Sequence, residues 1–146
     1  MKALLVICCA AWLLADITWL TDFTEAKKQA KEKHQPILLN FSGSDWCVPC
    51  IRMKKQFFTS GEFQSYAGSH LVLVNADFPR RTKNKLNAQQ EKHNEALAEQ
   101  YNPNGKFPYT LLLDAEGKVL KTWEGCPDSS PADFVQDLQS AAAKLP

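Results

Sequence analysis

The segment Ile37-Leu38-Leu39-Asn40-Phe41-Ser42-Gly43-Ser44-Asp45-Trp46-Cys47-Val48-Pro49-Cys50 runs from an apolar strand signal through small turn residues into an aromatic and two cysteines spaced i, i+3. The residues that follow, Ile51-Arg52-Met53-Lys54-Lys55-Gln56-Phe57-Phe58, contain no Gly or Pro and are suited to a helix. The pattern therefore predicts a strand, a turn, and a helix whose N-terminus carries Cys47, with Cys50 one turn further in. Unsatisfied N–H groups at a helix start carry partial positive charge and stabilise a thiolate. Thiolate is the nucleophilic form of cysteine, and CxxC cysteines at helix starts have lowered pKa values. Cys47, nearer the helix end and solvent, is the expected attacker, and Cys50 the expected resolving thiol. A zinc half-site and an inert structural disulfide are the competing readings. Zinc needs two further ligands at compatible spacing, and Cys126, His34, His70 and His93 form no such pattern.

Outward from this segment, 146 residues of which 45% are hydrophobic suit one domain with a substantial core. A net charge of +1 gives no indication of nucleic-acid binding. Residues 1–15 differ in kind. Met1-Lys2 is a minimal positive start, and Ala3 to Ala15 is apolar and uncharged. That run is shorter than the roughly 20 residues of a membrane-spanning helix and fits the core of a secretory signal. Cleavage after Ala15 would leave residues 16–146 as a single domain with no membrane span. A buried N-terminal helix or an uncleaved anchor are the other readings. Cys8 and Cys9 do not make a lipoprotein signal, because Ile7 and Cys8 precede them rather than small residues.

Along the rest of the chain, Ile17–Leu20 reads as a short edge strand and Asp22 as a helix cap, with Glu25 completing a capping box. Phe23, Ala26 and Ala30 form the narrow apolar stripe of a lysine-rich helix that ends at Gln35-Pro36. Leu71–Asp77 is a second buried strand, which makes a parallel pair with Ile37–Phe41 through a crossover. A polar helix is expected from about Thr82 to Tyr101, with Leu86, His93, Leu97 and Tyr101 on one face and His93 read as a packing residue. Phe107–Leu113 and Lys118–Trp123 form a hairpin around Gly117. Ser130, Pro131 and Asp133 open a final helix. The order β-α-β-α-β-α-β-β-α describes an α/β fold around one central mixed sheet, with helices on both faces.

This order, with Trp46-Cys47-Val48-Pro49-Cys50 after the first central strand and Phe107-Pro108 before the hairpin, resembles the thioredoxin superfamily over nearly all of residues 16–146. It is most similar to secreted bacterial thioredoxin-like proteins that share the Gly-Ser-Asp-Trp-Cys-x-x-Cys approach. The resemblance implies a thioredoxin fold and a redox-active Cys47–Cys50 pair, with Cys47 exposed and Cys50 buried. It implies that Trp46, Val48, Pro49, Phe107 and Tyr109 shape the substrate surface, and that Pro108 follows a cis bond and faces the cysteines. The backbone of Phe107 would then pair with an extended substrate segment. The implied activity is thiol–disulfide exchange on protein clients in the periplasm or bacterial cell envelope, without a cofactor or metal beyond the dithiol, and with a membrane thiol reductant as upstream donor. Reduction is favoured over oxidation or isomerisation by the Pro49-containing dipeptide. A binding or chaperone module holding a structural disulfide is the alternative from another class. Asn40 stands where the family usually has a buried Asp, and about Leu73 where it has a buried Lys, so Asn40 and Asp45 become the candidates for tuning the thiol pKa. The role of Cys126 is open.

Overall fold

The computed structural model describes residues 17–145; the expected signal, its boundary at Asp16 and both N-terminal cysteines lie outside them. In chain order the elements are β1 (Trp19–Leu20), α1 (Phe23–Lys33), β2 (Ile37–Ser42), α2 (Val48–Met53), α3 (Gly61–His70), β3 (Val72–Asp77), α4 (Ala88–Tyr101), β4 (Tyr109–Leu113), β5 (Val119–Glu124) and α5 (Pro131–Ala142). The sheet order is β1-β3-β2-β4-β5. β1, β3 and β2 run parallel, while β4 is antiparallel to both β2 and β5. A mixed α/β sandwich results, as the element order predicts.

The sheet divides two apolar layers. On one face Leu38, Leu73 and Leu112 pack with Phe57, Phe63, Phe134 and Leu138 beneath α2, α3 and α5. On the other, Ile37, Leu39, Phe41, Val74 and Leu111 pack with Phe23, Ala26, Ala30 and Leu97 beneath α1 and α4. β2 is buried at every position, which explains why Ile37–Phe41 is an apolar run broken only by Asn40 rather than an alternating one.

Local chemistry sets the helix boundaries. Asp22 caps α1, its carboxylate accepting from Thr24 N and Glu25 N. The expected reciprocal bond from Glu25 is replaced by one from the Gln29 amide to Glu25 Oε1, at 3.0 Å. The full capping box does form at Ser130 and Asp133, where Pro131 opens α5. His93 accepts the Phe23 N–H at 3.1 Å and ties α4 to the start of α1, a packing role.

Three expectations shift. β1 is shorter than Ile17–Leu20, since only Trp19 and Leu20 find partners on β3. The helix expected from Thr82 is a single 3-10 turn there (Thr82–Asn84), and α4 begins at Ala88 because Asn87 Oδ1 caps Gln90 N at 2.8 Å. Leu86 thus precedes the helix. The hairpin's first strand starts at Tyr109 rather than Phe107, since Pro108 has no N–H for the ladder. Gly117 has φ +93°, and a Cβ there would stand 2.7 Å from Tyr101 Oη.

Candidate active site

β2 ends at Ser42, and the chain turns through Gly43, Ser44 and Asp45 before α2 begins. The turn is closed by the Cys47 N–H donating to Gly43 O at 2.9 Å. Gly43 is required here by close approach: a Cβ would lie 2.3 Å from the Trp46 indole, which rests on the bare backbone. The Trp46 indole N–H donates to Phe78 O at 2.7 Å, fixing the ring across the end of β3. Trp46 and Phe78 each make an edge contact with Phe107, at 5.5 Å between ring centroids.

Cys47 is the N-cap of α2, and Pro49 occupies the first turn, where a missing N–H costs nothing. The Cys50 N–H donates to Cys47 Sγ at 3.2 Å, and the Gly43 N–H to Cys50 Sγ at 3.5 Å. A helix-start N–H therefore points at Cys47 Sγ and a turn N–H at Cys50 Sγ, an arrangement that favours thiolate. The two sulfurs are joined in a disulfide with Cα atoms 5.2 Å apart.

The resemblance implies an exposed Cys47 over a buried Cys50, but in the disulfide the two residues retain only 5% and 4% of their exposure. Each sulfur covers part of the other once the bond has formed. What distinguishes them is their surroundings: Val48, next to Cys47, is 74% exposed. Cys50, unlike Cys47, lines a cavity of about 530 Å³, together with the polar Asn40 and Asn75 and the apolar Trp19, Ile51 and Phe58. The Phe107–Pro108 bond is cis. Pro108 O accepts the Gly125 N–H at 2.9 Å. Tyr109 is turned to the α1/α4 layer and stacks on Phe41 at 6.5 Å.

Both candidates for tuning the thiol pKa have partners. The Asp45 carboxylate accepts from Arg80 N (2.9 Å), Arg81 N (3.0 Å) and the Asn84 amide (2.9 Å). These bonds, that from Arg80 strongest, draw its pKa down from 3.8 to about 2. Asp45 thus holds the loop after β3 as a fixed anion. Asn40 donates to Asn75 Oδ1 at 2.9 Å and accepts from Thr110 Oγ1 at 3.0 Å, forming a polar row across β3, β2 and β4. Register places Asn75, not Leu73, beside Asn40; Leu73 lies opposite Leu38 in the apolar layer. The row went unread in the sequence, although each of three apolar strands carries a polar interruption at these positions.

Other site features also escaped the sequence. The Arg80 guanidinium lies over the Trp46 ring, 3.7 Å from its centroid. Ser44 N and Oγ donate to the Asp77 carboxylate at 2.9 and 2.5 Å, pinning the turn to the end of β3. Cys126 is a half-buried free thiol. Its sulfur lies beside the Arg52 guanidinium and is the largest influence raising that group's pKa. Among the described residues no cluster of three or more His, Cys, Asp or Glu side chains could hold a metal.

A family model described as thioredoxin-like matches residues 18–115. Over 127 residues the chain is 40% identical to the disulfide bond reductase DsbH of Chlamydia pneumoniae, covering 87% of this chain and 74% of that one. It is 33% identical over 104 residues to the thioredoxin-related protein DsbJ of the same organism, covering 71% of this chain but 29% of DsbJ. A solved DsbH oxidoreductase structure superposes with a TM-score of 0.80 at 38% identity, covering 90% of this chain and 88% of that one. With its joined cysteine pair at a helix start and these relatives, the chain belongs to the thioredoxin-like family and is a thiol–disulfide oxidoreductase.

Proposed function

We propose that the chain reduces disulfides of protein clients in the bacterial cell envelope, with Cys47 as nucleophile and Cys50 as resolving thiol. The observation that carries this reading is the Cys47 sulfur at the α2 N-cap, accepting the Cys50 N–H within bonding reach of the second sulfur. The reductive direction draws support from the 40% identity to a protein named a disulfide bond reductase.

In the reduced protein, Cys47 thiolate attacks one sulfur of a client disulfide and the other client sulfur leaves as thiolate, taking up a proton. Cys50 thiolate then attacks Cys47 Sγ, releases the second client thiol and closes the Cys47–Cys50 disulfide. Two electrons pass to the client, and a membrane thiol donor returns them. Cys50 must lose its proton in the second step. Asp45 is engaged elsewhere and Asn40 does not titrate, so water entering the cavity beside Cys50, where Asn40, Ser42 and Asn75 offer it hydrogen-bond partners, is the acceptor. Val48, Pro49, Trp46 and Phe107 form the surface that meets the client, the buried Pro108 sets the cis turn beneath Phe107, and Tyr109 supports it from behind through Phe41.

Insulin reduction driven by dithiothreitol tests the reading. Turnover should vanish in Cys47→Ser, and Cys50→Ser should accumulate a Cys47–client mixed disulfide detectable by mass. Turnover that persists in Cys47→Ser would overturn it in favour of a binding module with an inert disulfide. Equilibration with glutathione checks direction: a potential near −120 mV would place the pair among strong oxidants. We further read residues 1–15 as a secretory signal and residues 16–146 as the mature domain. The mass of the chain recovered from the envelope should then correspond to a start at Asp16.

A further inference from the structure

Positive charge is concentrated around the disulfide in a chain that is almost neutral overall. Residues 45–85 carry seven Lys or Arg against three Asp or Glu, whereas the whole chain carries 17 against 16. All three arginines of the protein, Arg52, Arg80 and Arg81, fall within this span. Arg52 follows Cys50 on α2, while Arg80, Arg81, Lys83 and Lys85 lie exposed on the loop after β3.

The acids nearby offset only part of this charge. Asp45 accepts from the backbone N–H groups of Arg80 and Arg81 and from Asn84, and although the Arg81 charge also acts on it, neither guanidinium group forms an ion pair with it. Asp77 is taken by Ser44. Among the described residues, no loop base joins an ion pair; those that form involve Lys31, Lys106 and Lys121. The loop is also fixed in place rather than loosely tethered. Asp45 stands two residues before Cys47 and grips the loop backbone, and Arg80 lies flat over Trp46, the residue adjoining Cys47. Exposed, pre-positioned guanidinium groups suit carboxylates, which they bind through paired N–H donors.

We infer that the loop 79–85 is a docking rim for acidic client segments, placing carboxylates that flank the client cystine against Arg81, Lys83 and Lys85 while the cystine itself meets Cys47 between Val48 and Trp46. This inference rests on the reductase reading above. Fixed charge of one sign beside a reactive centre raises the encounter rate of oppositely charged partners by 10-fold or more, and salt screens the effect.

The test uses two short disulfide-linked peptides that are identical except for the residues flanking the cystine, Glu in one and Lys in the other. The full protein should reduce the acidic peptide with a kcat/KM about tenfold above that of the basic one at low salt, with the ratio falling toward unity at high salt. In Arg81→Gln/Lys83→Gln the low-salt ratio should fall severalfold, and in Arg81→Glu/Lys83→Glu it should invert. Taking the ratio cancels any change in the dithiol itself, and circular dichroism verifies that each variant is folded. Equal reduction of both peptides by the unaltered protein, or a ratio untouched by charge reversal, overturns the rim while leaving the reductase intact. Reduction of neither peptide overturns the reductase reading and the rim with it.

Discussion

Asn40 shows how one side chain can settle the character of a buried site. It is 4% exposed, lies in the most enclosed strand, and spends its amide on Asn75 and its carbonyl on Thr110. Buried polar groups are tolerated when hydrogen-bonded and costly when a partner is removed. Thr110→Val preserves shape but withdraws the only donor that Asn40 Oδ1 receives among these three residues. It should lower stability by about 1–3 kcal/mol, read as a lower urea midpoint with an unchanged slope. An unchanged midpoint would mean that the row contributes nothing to stability. Because neither Asn40 nor Thr110 titrates in this range, the row can orient groups beside Cys50 without adding a charge of its own.

At the scale of elements, residues 80–84 of the loop after β3 are gripped by one carboxylate. Asp45 receives three hydrogen bonds from it, so Asp45→Ala should release the loop, and the amides of Arg80 and Arg81 should exchange with solvent faster while those of β2 do not. Exchange of the loop amides at the unaltered rate would contradict this assignment. The same bonds depress the Asp45 pKa from 3.8 to about 2. A depressed carboxylate stabilises the fold above its unfolded-state pKa, and that contribution is lost as pH falls through the folded-state value. Acid titration should thus find loop protection intact above about pH 4 and lost between about pH 3.8 and 2. Downstream of the cysteines, α2 continues into a π-helical turn over Lys54–Phe58, closed by the Thr59 N–H to Lys54 O at 3.1 Å. In this wider turn two consecutive aromatics, Phe57 and Phe58, are both buried. The run Phe57-Phe58 signals a helix with an apolar face but not this change of pitch, since an ordinary amphipathic α-helix also buries neighbouring pairs.

Across the whole molecule, the redox site sits where the two apolar layers and the sheet meet, at the C-terminal ends of β2 and β3. Phe134, 2% exposed, links α5 to Phe57, Phe63 and Trp123 through ring contacts of 5.5, 6.3 and 5.5 Å. Phe134→Ala should therefore cost about 3–5 kcal/mol in a single unfolding transition; a loss below about 1 kcal/mol would mean that this layer can collapse around the gap. The order of strands and helices, the parallel pairing of β2 with β3 and the hairpin at Gly117 were all legible in the chain, because apolar runs, caps and turn residues act over a few positions. The cysteine pair at a helix start was legible for the same reason: spacing i, i+3 is a local property of the helix. What needed tertiary structure was the set of side-chain contacts between distant segments. That Asp45 grips residues 80–84, that Asn40 meets Asn75 and Thr110, and that Arg80 covers Trp46 depend on register and loop return. The sequence alone determined that a thiol pair sits at the mouth of a helix. Only the packing of distant strands and loops decided which polar and charged groups surround it, because local propensity carries no information about where the chain returns.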